Sequence, residues 1–398
     1  MTTLTQVVGL KQKLVAWRRD FHMHPELSYK EERSAAIVAE HLGRLGFDVR
    51  TGVARTGVIG LLRGMESGHV VAFRFDMDAL PITEETGAPY ASTIEGQMHA
   101  CGHDGHMAMG MGLAELLAGR RDEIKGAAKL LFQPAEEGGN GAEAMVTEGA
   151  LEDPRPDVFV ASHLWIERPV GSADVRTGPV LAAADKWNCT VRGRGGHGAM
   201  PHHTADPIVA AAQVISGLQT VVSRNVPALE PAVVSVGAVH GGGAFNVIPE
   251  EVRITGTIRT YEPETREMVV RRMREVVEGI AAACGATAEL HVRSLTPAVI
   301  NDCAVAEVVR MVAQAILGAE NVTSRERTMG SEDAAFFMRE VPGCYFFLGA
   351  SNPERGVNFP HHSSRFDFDE DALVHGVAIL GRVAEHYLLH AQCGNAAD

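Results

Sequence analysis

The stretch from Met98 to His106 reads MHACGHDGH and contains three histidines, one cysteine and one aspartate. Cys101 and His103 lie two positions apart, and a thiolate and an imidazole at this spacing could bind one metal ion or a pair of metal ions. The same two side chains could equally be a reactive thiol beside a base, or part of a polar turn without chemistry. The rest of the sequence has to separate these three interpretations.

The composition limits the class of protein. The chain has 398 residues, of which 45% are hydrophobic, so it can bury a large core and is expected to form more than one domain. A net charge of -14 argues against nucleic acids and anionic membranes as partners, since both bind clustered lysine and arginine. Neither a signal peptide nor a membrane-spanning run is predicted. The six cysteines are widely spaced, which indicates a reducing cytoplasm.

Apolar runs typical of strands alternate with helical patterns along most of the chain. The segments LVAWRRDFH and EERSAAIVAEHLGRLGF predict helices, the second with a stop at Gly46, and VVAFRFDMDAL predicts a strand that ends at Pro81. KLLFQPAEE and PDVFVASHLW predict buried, parallel strands with polar residues at their C-terminal ends, which is where open α/β sheets build their sites. We therefore expect an α/β catalytic domain whose central, mostly parallel sheet is flanked by helices.

Residues 185–295 show a different pattern. The order strand, helix, strand, strand, helix, strand is predicted by KWNCTVRG, DPIVAAAQVISGLQTVV, AVVSVGAVHGG, EVRITGTIRT, PETREMVVRRMREVVEGIAAAC and ATAELHVRSL. This order is typical of a ferredoxin-like α+β unit, which can close on itself as a small domain. The sequence thus predicts a catalytic domain made of residues 1–184 and 296–398, interrupted by an inserted domain of residues 185–295.

Further polar residues follow the apolar runs of the catalytic domain. Glu136 and Glu137 stand side by side in FQPAEEGG, so one carboxylate could bind metal while the other serves as a base. His163 ends another apolar run, and His361 and His362 lie in FPHHSSRF. Taken singly, such a histidine is more often structural and such an acidic pair more often a solvated loop. Together they supply a full ligand set with a spare carboxylate, which favours metal chemistry.

Two other classes of protein fit less well. GRGGHG, from Gly193 to Gly198, formally matches a dinucleotide-binding fingerprint, but Pro201 and Pro207 follow where the fingerprint needs a helix to begin. A metal-binding or peptide-binding module without catalysis would keep the ligands and lose the base, whereas Glu136 is present. An enzyme with a metal centre therefore remains the favoured class.

Seven motifs, in this order and over nearly the whole chain, resemble the hippurate hydrolase and auxin-amide hydrolase branch of the di-metal aminoacylase and carboxypeptidase family. They are RFDMDALPITEETGAPY, MHACGHDGH, FQPAEEGGNGA, GRGGHGAMPHHTADPI, NVIPEEVRITGTIRT, MGSEDAAFF and HHSSRFDFDEDAL. The resemblance implies two divalent metal ions per subunit, with zinc favoured and manganese, cobalt or nickel as alternatives. It implies the metal ligands Cys101, His103, Glu137, His163 and His362. In the wider family the position of Asp76 is usually a histidine ligand and that of His103 a bridging aspartate, so the bridge is expected to pass to Cys101.

The same resemblance implies hydrolysis of the amide bond of N-acyl-L-amino acids by a metal-activated water, with Glu136 as the general base. His197 matches a donor to the oxyanion, and Asp78 matches an acid that orients a metal ligand. Asn246 and Arg259 are candidates for binding the substrate carboxylate. A small-peptide carboxypeptidase and an N-acetyl-diaminopimelate deacetylase remain alternatives, since specificity lies in pocket walls that these motifs do not define.

The resemblance also bears on assembly. The inserted domain is expected to act as a lid and to pair edge to edge in a homodimer, or within a larger oligomer, because unpaired sheet edges favour such contacts. His197 would then serve the partner's site.

Overall fold

The computed structural model describes residues 4–389 of the chain. In chain order, its helices are α1 (Leu4–Val8), α2 (Lys11–Met23), α3 (Glu32–Arg44), α4 (His103–Ala118), α5 (Gly141–Thr147), α6 (Pro207–Asn225), α7 (Pro263–Ala283), α8 (Cys303–Leu317), α9 (Ala335–Glu340) and α10 (Asp371–Leu388). Its strands are β1 (Asp48–Val53), β2 (Gly57–Arg63), β3 (Glu66–Asp76), β4 (Lys125–Gln133), β5 (Val158–Pro169), β6 (Ala173–Asp174), β7 (Gly178–Leu181), β8 (Ala183–Arg192), β9 (Gly196–His197), β10 (Ala232–Gly241), β11 (Val247–Ile248), β12 (Glu251–Thr260), β13 (Thr287–Thr296), β14 (Val299–Asn301), β15 (Val322–Thr323) and β16 (Gly343–Ser351). Short 3-10 helices occupy Arg121–Glu123, Pro201–His203, Ala319–Asn321 and Pro353–Arg355.

The described residues divide into two compact units. The first comprises the chain up to Val180, Ile300–Glu326 and the chain from Asp333 onward, and the second comprises Leu181–Val299 and Arg327–Glu332. Each unit has a hydrophobic core of its own. The first unit is therefore assembled from segments that lie far apart in the sequence.

The core of the first unit contains an eight-stranded mixed sheet in the order β1-β2-β4-β3-β5-β16-β6-β15. The inner strands β4, β3, β5 and β16 pair in parallel, whereas β1 with β2, β2 with β4, and β16 with β6 pair in antiparallel fashion. The expectation of a mostly parallel sheet is thus correct for the inner strands, whereas antiparallel pairs lie on both sides of them, and at one edge β15 again pairs with β6 in parallel. A tight connection between β1 and β2 permits only antiparallel pairing, which a reading of apolar runs does not detect.

Strand β3 ends before the predicted boundary at Pro81. The strand stops at Asp76, because Ala79 and Leu80 form isolated bridges with Leu27 and Met98 instead of continuing along the sheet. Asp78 therefore lies in the loop beyond the C-terminal end of β3, outside the ladder of the sheet.

Helix α4, which begins at His103, is buried along nearly its whole length. At Gly110 a Cβ atom would lie 2.7 Å from the rings of both Phe75 and Phe132, so only glycine permits this approach to the sheet. The close packing fixes the helix, and with it His103, against β3 and β4. Among the helices within residues 4–389, none has both the length and the apolar character that crossing a membrane requires.

The second unit contains a four-stranded antiparallel sheet in the order β10-β12-β8-β13. Its elements follow the chain as β8, α6, β10, β12, α7 and β13, so the strands and helices occur where the sequence predicts them. Trp187 is fully buried in the core of this unit, among apolar residues of the sheet and of α6 and α7. A separate two-stranded ribbon joins β9 to β11 and pairs His197 with Val247.

Candidate metal centre

Cys101 and His103 lie where the chain enters α4. Gly102, between them, has a φ of 89°, a left-handed conformation that glycine adopts without steric cost. Ligand atoms of Cys101, His103 and His163 all lie within 4.8 Å of one another, and Cys101 Sγ is 3.5 Å from His163 Nε2. A single ion could therefore contact all three side chains.

Both histidines of this group are held through Nδ1 by a backbone carbonyl. His103 donates to the Asp78 carbonyl at 2.8 Å, and His163 donates to the Leu164 carbonyl at 2.7 Å. A histidine bonded in this way presents its lone pair at Nε2, which is the arrangement that outer-shell partners of metal ligands produce. Among the described residues 4–389, buried His103 Nε2 has no hydrogen-bond partner, a state that usually calls for a ligand. In both rings Nε2 is therefore the nitrogen that could bind a metal.

A second group of ligands shares Cys101. Its members are Cys101, Glu137 and His362, with ligand atoms again within 4.8 Å of one another. His362 Nε2 lies 3.2 Å from Glu137 Oε1. The His362 backbone has a φ of 64°, which is uncommon outside glycine, and its N–H donates to the Ala100 carbonyl at 2.8 Å. This bond holds the segment after β16 against the residue that precedes Cys101, and so keeps His362 near the Cys101 thiol. Both ligand groups therefore contain the same thiol.

Asp78 organises the loop that carries the two glutamates. The backbone N–H groups of Glu136 and Glu137 donate to Asp78 Oδ1 and Oδ2, each at 3.0 Å, and Ser28 Oγ donates to Oδ2 at 2.7 Å. The loop begins after β4 with Ala135 at a φ of 53°. Asp78 is buried, and burial would raise the pKa of its carboxyl, but hydrogen bonding and the charge of His103 lower the pKa overall. One buried carboxylate thus sets the position of both glutamates.

Glu136 belongs to a third group of ligand atoms, together with His103 and Glu137. It therefore lies beside candidate ligands but outside both groups that contain Cys101. Glu136 as a residue is partly exposed. This is the position that a general base beside a metal centre requires.

The electrostatics argue against a reactive thiol. Burial raises the pKa of Cys101, and the negative charge of Glu137 raises it further, whereas nucleophilic cysteines have a lowered pKa. Burial works to lower the pKa of His103, but the charge of Asp76 outweighs it and holds the pKa well above its usual range. Hydrogen bonds to Cys101 and Glu137 raise the pKa of His362 to about 10. A bound cation would replace these protons, because metal ligands bind in their deprotonated form.

The remaining candidates lie in the second unit. His197 is exposed, and its Nδ1 accepts the Ala199 N–H at 3.0 Å. Asn246 is exposed and accepts the Gly198 N–H through its backbone carbonyl at 2.8 Å. Arg259 is partly buried and donates to the Ile258 carbonyl at 3.1 Å, and burial lowers the pKa of its guanidinium. The roles predicted for these residues stay predictions.

The segment from Gly193 to Gly198 does not form a dinucleotide site of the expected kind. A 3-10 helix at Pro201–His203 follows it, and α6 begins only at Pro207. Since the fingerprint requires a helix to open directly onto a pyrophosphate, the structure agrees with the sequence in disfavouring it.

The sequence pattern did not indicate a role for His106 or for the partners of Asp76. His106 Nδ1 donates to Asp76 Oδ1 at 2.5 Å, and Arg74 Nη1 donates to Asp76 Oδ2 at 2.6 Å. The position of His106, three residues after His103 on one helix, was the available signal, because residues at this spacing share a helix face.

Comparison with known proteins places these features in a family. A model of the peptidase family M20/M25/M40 matches residues 72–386. The chain is 41% identical to an N-acetylcysteine deacetylase of Bacillus subtilis, over 91% of this chain and 93% of the relative. It is 38% identical to thermostable carboxypeptidase 1 of Saccharolobus solfataricus (96% and 95% covered) and 37% identical to IAA-amino acid hydrolase ILR1-like 4 of Arabidopsis thaliana (94% and 86% covered).

A solved structure agrees with these relatives. The YXEP protein of Bacillus subtilis, titled a dinuclear metal binding peptidase, superposes with a TM-score of 0.84 and is 36% identical, with 94% of this chain and 98% of that chain covered. The family expected from the seven motifs is therefore confirmed. The chain belongs to the peptidase family M20/M25/M40 and is a hydrolase that acts on amide or peptide bonds.

Proposed function

We propose that the protein hydrolyses the amide bond of N-acyl-L-amino acids, with two divalent metal ions and with Glu136 as the general base. The observation that carries the proposal is the pair of ligand groups that share the Cys101 thiol, beside which Glu136 lies. Two ions bridged by one ligand provide the arrangement in which a water and an amide carbonyl can be activated together.

The residues fit a pair of metal ions. Cys101, His103 and His163 would hold one ion, and Cys101, Glu137 and His362 the other, so the Cys101 thiolate would serve both ions. Thiolate and imidazole ligands favour zinc, while the carboxylate also admits manganese, cobalt or nickel. When bound, the ions would polarise the scissile carbonyl and lower the pKa of a water. A thiolate ligand needs reducing surroundings, which agrees with the cytoplasmic location that we propose from the widely spaced cysteines.

Glu136 would move the proton of the reaction. Its backbone is held by Asp78 at 3.0 Å, which restrains the loop while the side chain faces the group formed with His103 and Glu137. The carboxylate would take a proton from the attacking water and then deliver it to the nitrogen of the leaving amine. Asp78 would serve as the acid that positions this loop and the His103 ligand.

We infer that the second unit is an inserted ferredoxin-like domain that acts as a lid and as the contact of a homodimer. Its sheet order, with β10 and β13 at the edges, supports the dimer contact, because an open edge can pair with a copy of itself. His197 would then donate to the oxyanion in the partner's site. Asn246 and Arg259 would bind the carboxylate of the amino-acid half of the substrate.

The names of the relatives support the substrate class. A deacetylase of N-acetylcysteine and a hydrolase of IAA-amino acid conjugates both cleave an acyl group from an amino acid. The carboxypeptidase relative supports a second candidate, cleavage of small peptides. The two classes are chemically related, since in each the scissile amide lies next to a free carboxylate. An N-acetyl-diaminopimelate deacetylase would satisfy the same description.

A substrate panel tests the proposal. The purified protein is stripped of metal with a chelator, each of the four metals is restored in turn, and amine release is measured from hippurate, acetylated amino acids and dipeptides. We expect activity only with metal, and faster release from the N-acyl amino acids. Faster cleavage of dipeptides would favour the carboxypeptidase, and binding of two metals without any amine release would indicate a non-catalytic module. Glu136→Gln is the control that keeps the ligands and removes the base.

A further inference from the structure

The third histidine of MHACGHDGH lies in a cluster that resembles a metal site. Ligand atoms of Asp76, His103 and His106 lie within 4.8 Å of one another, and all three residues are buried. However, both ring nitrogens of His106 are engaged. The Leu164 N–H donates to Nε2 at 3.0 Å, and Nδ1 donates to Asp76 Oδ1 at 2.5 Å. The cluster is therefore not an independent metal site, and His106 has a different role.

The architecture of β5 explains why Leu164 needs such a partner. Pairing of β5 with β3 ends at Ala161, whereas pairing with β16 continues through Trp165 and, after an irregularity, to Pro169. Beyond Ala161, backbone groups on the β3 side of the strand have to find partners outside that ladder, since a buried N–H or carbonyl is normally paired. His106 accepts the Leu164 N–H, and the Leu164 carbonyl accepts from His163 Nδ1 at 2.7 Å and from His361 Nε2 at 2.9 Å.

We propose that His106 is a positioning residue for the metal ligand His163. By holding the Leu164 N–H, it fixes the residue whose carbonyl holds His163 Nδ1, so that His163 Nε2 points to the ion. Asp76 keeps the His106 proton on Nδ1, which leaves Nε2 free to accept. Arg74, which donates to Asp76 at 2.6 Å, balances the buried carboxylate. The inference rests on the proposed function, because it requires a metal at His163.

Two substitutions separate the hydrogen bonds of His106. Glutamine carries an oxygen near the position of Nε2 and can still accept the Leu164 N–H. Asparagine is shorter, so its amide can donate to Asp76 but cannot reach Leu164. Since loss of an outer-shell partner typically lowers metal affinity about 10–100-fold, we expect a loss of that size for His106→Asn and a much smaller loss for His106→Gln.

Metal affinity is measured by chelator competition with zinc and by the absorption spectrum of the cobalt-loaded protein, and thermal unfolding is followed on the metal-free protein. His41→Asn is the matched control, because His41 is also buried and its Nε2 donates to the Met111 carbonyl of α4 at 3.2 Å. His41→Asn should lower the unfolding temperature and leave metal affinity unchanged. His106→Asn should lower metal affinity and also alter the cobalt spectrum.

The proposal would be overturned if His106→Asn and His106→Gln lost metal affinity equally, or if both bound metal within about twofold of the wild type. If the wild-type protein bound two metals and hydrolysed its substrates in that case, only the role of His106 would be refuted. A wild-type protein that bound no metal would refute the proposed function and this inference together.

Discussion

Asp78→Asn should disturb both glutamates and the metal centre at once. The asparagine side chain has nearly the same shape as aspartate but only one acceptor oxygen and no charge. In the native protein, Oδ1 accepts the Glu136 N–H, and Oδ2 accepts the Glu137 N–H and the Ser28 hydroxyl. If the amide oxygen occupies the Oδ2 position, the amide NH₂ faces the Glu136 N–H and two donors oppose each other.

The size of the effect follows from these contacts. A hydrogen bond to a charged group contributes about 1.5–3 kcal/mol, and a buried donor left unpaired costs about 1–3 kcal/mol. One lost bond of this kind should therefore destabilise the first unit by about 3 kcal/mol, which lowers the unfolding temperature by about 5–10 °C for a unit of this size. Because the Glu137 ligand moves with the loop, metal affinity should fall about 10–100-fold.

The assay combines thermal unfolding of the metal-free protein with chelator competition for zinc. Asp174→Asn is the control, because Asp174 is also buried in the first unit and accepts one backbone N–H, from Arg325 at 2.9 Å, and one hydroxyl, from Thr323. Both bonds go to Oδ2, so an asparagine amide oxygen can keep them. Asp174→Asn loses only the negative charge that strengthens these bonds, so it should lose less stability than Asp78→Asn and keep its metal affinity. Ser28→Ala removes only the hydroxyl and should leave metal affinity nearly unchanged. If Asp78→Asn bound zinc as tightly as Asp174→Asn, the idea that Asp78 positions the metal centre would be refuted.

Further outcomes are expected from the glutamates, the thiol and the second unit. Glu136→Gln should lower activity by at least about 10²-fold with two metals still bound, whereas Glu137→Gln should lose metal, and metal analysis showing the reverse would exchange their roles. Thiol reagents should label Cys101 readily in the metal-free protein and poorly in the loaded one, and equal labelling would mean that Cys101 is not a ligand. His197→Ala and Glu136→Gln should each be nearly inactive, but after proven subunit exchange an equal mixture should recover about a quarter of wild-type activity, since half the dimers then hold one intact site of two. No recovery would place His197 outside the partner's site.

The local pattern of the sequence predicts much of the fold and many residues of the candidate site. The runs KLLFQ and VFVASHLW correspond to β4 and β5, because alternation and apolar content are properties of neighbouring residues. Glu136 and His163 were selected from their places at the ends of these runs. The structure brings His163 near Cys101 and His103, and Glu136 near His103 and Glu137. Their catalytic roles stay predictions, since proximity alone does not assign them.

The direction of the flanking strands and the partners of the buried polar atoms were not available from such patterns. Asp78 accepts the N–H of Glu136 from 58 positions away along the chain, and His106 accepts that of Leu164 over the same separation. The chemical types of the candidate ligands were determined by the sequence itself, because thiol, imidazole and carboxylate groups keep their chemistry in any fold. Which nitrogen of His103 is held by a carbonyl, and which nitrogen of His106 donates and which accepts, was decided only by the tertiary structure, because a buried donor or acceptor must be paired and packing alone supplies the partner.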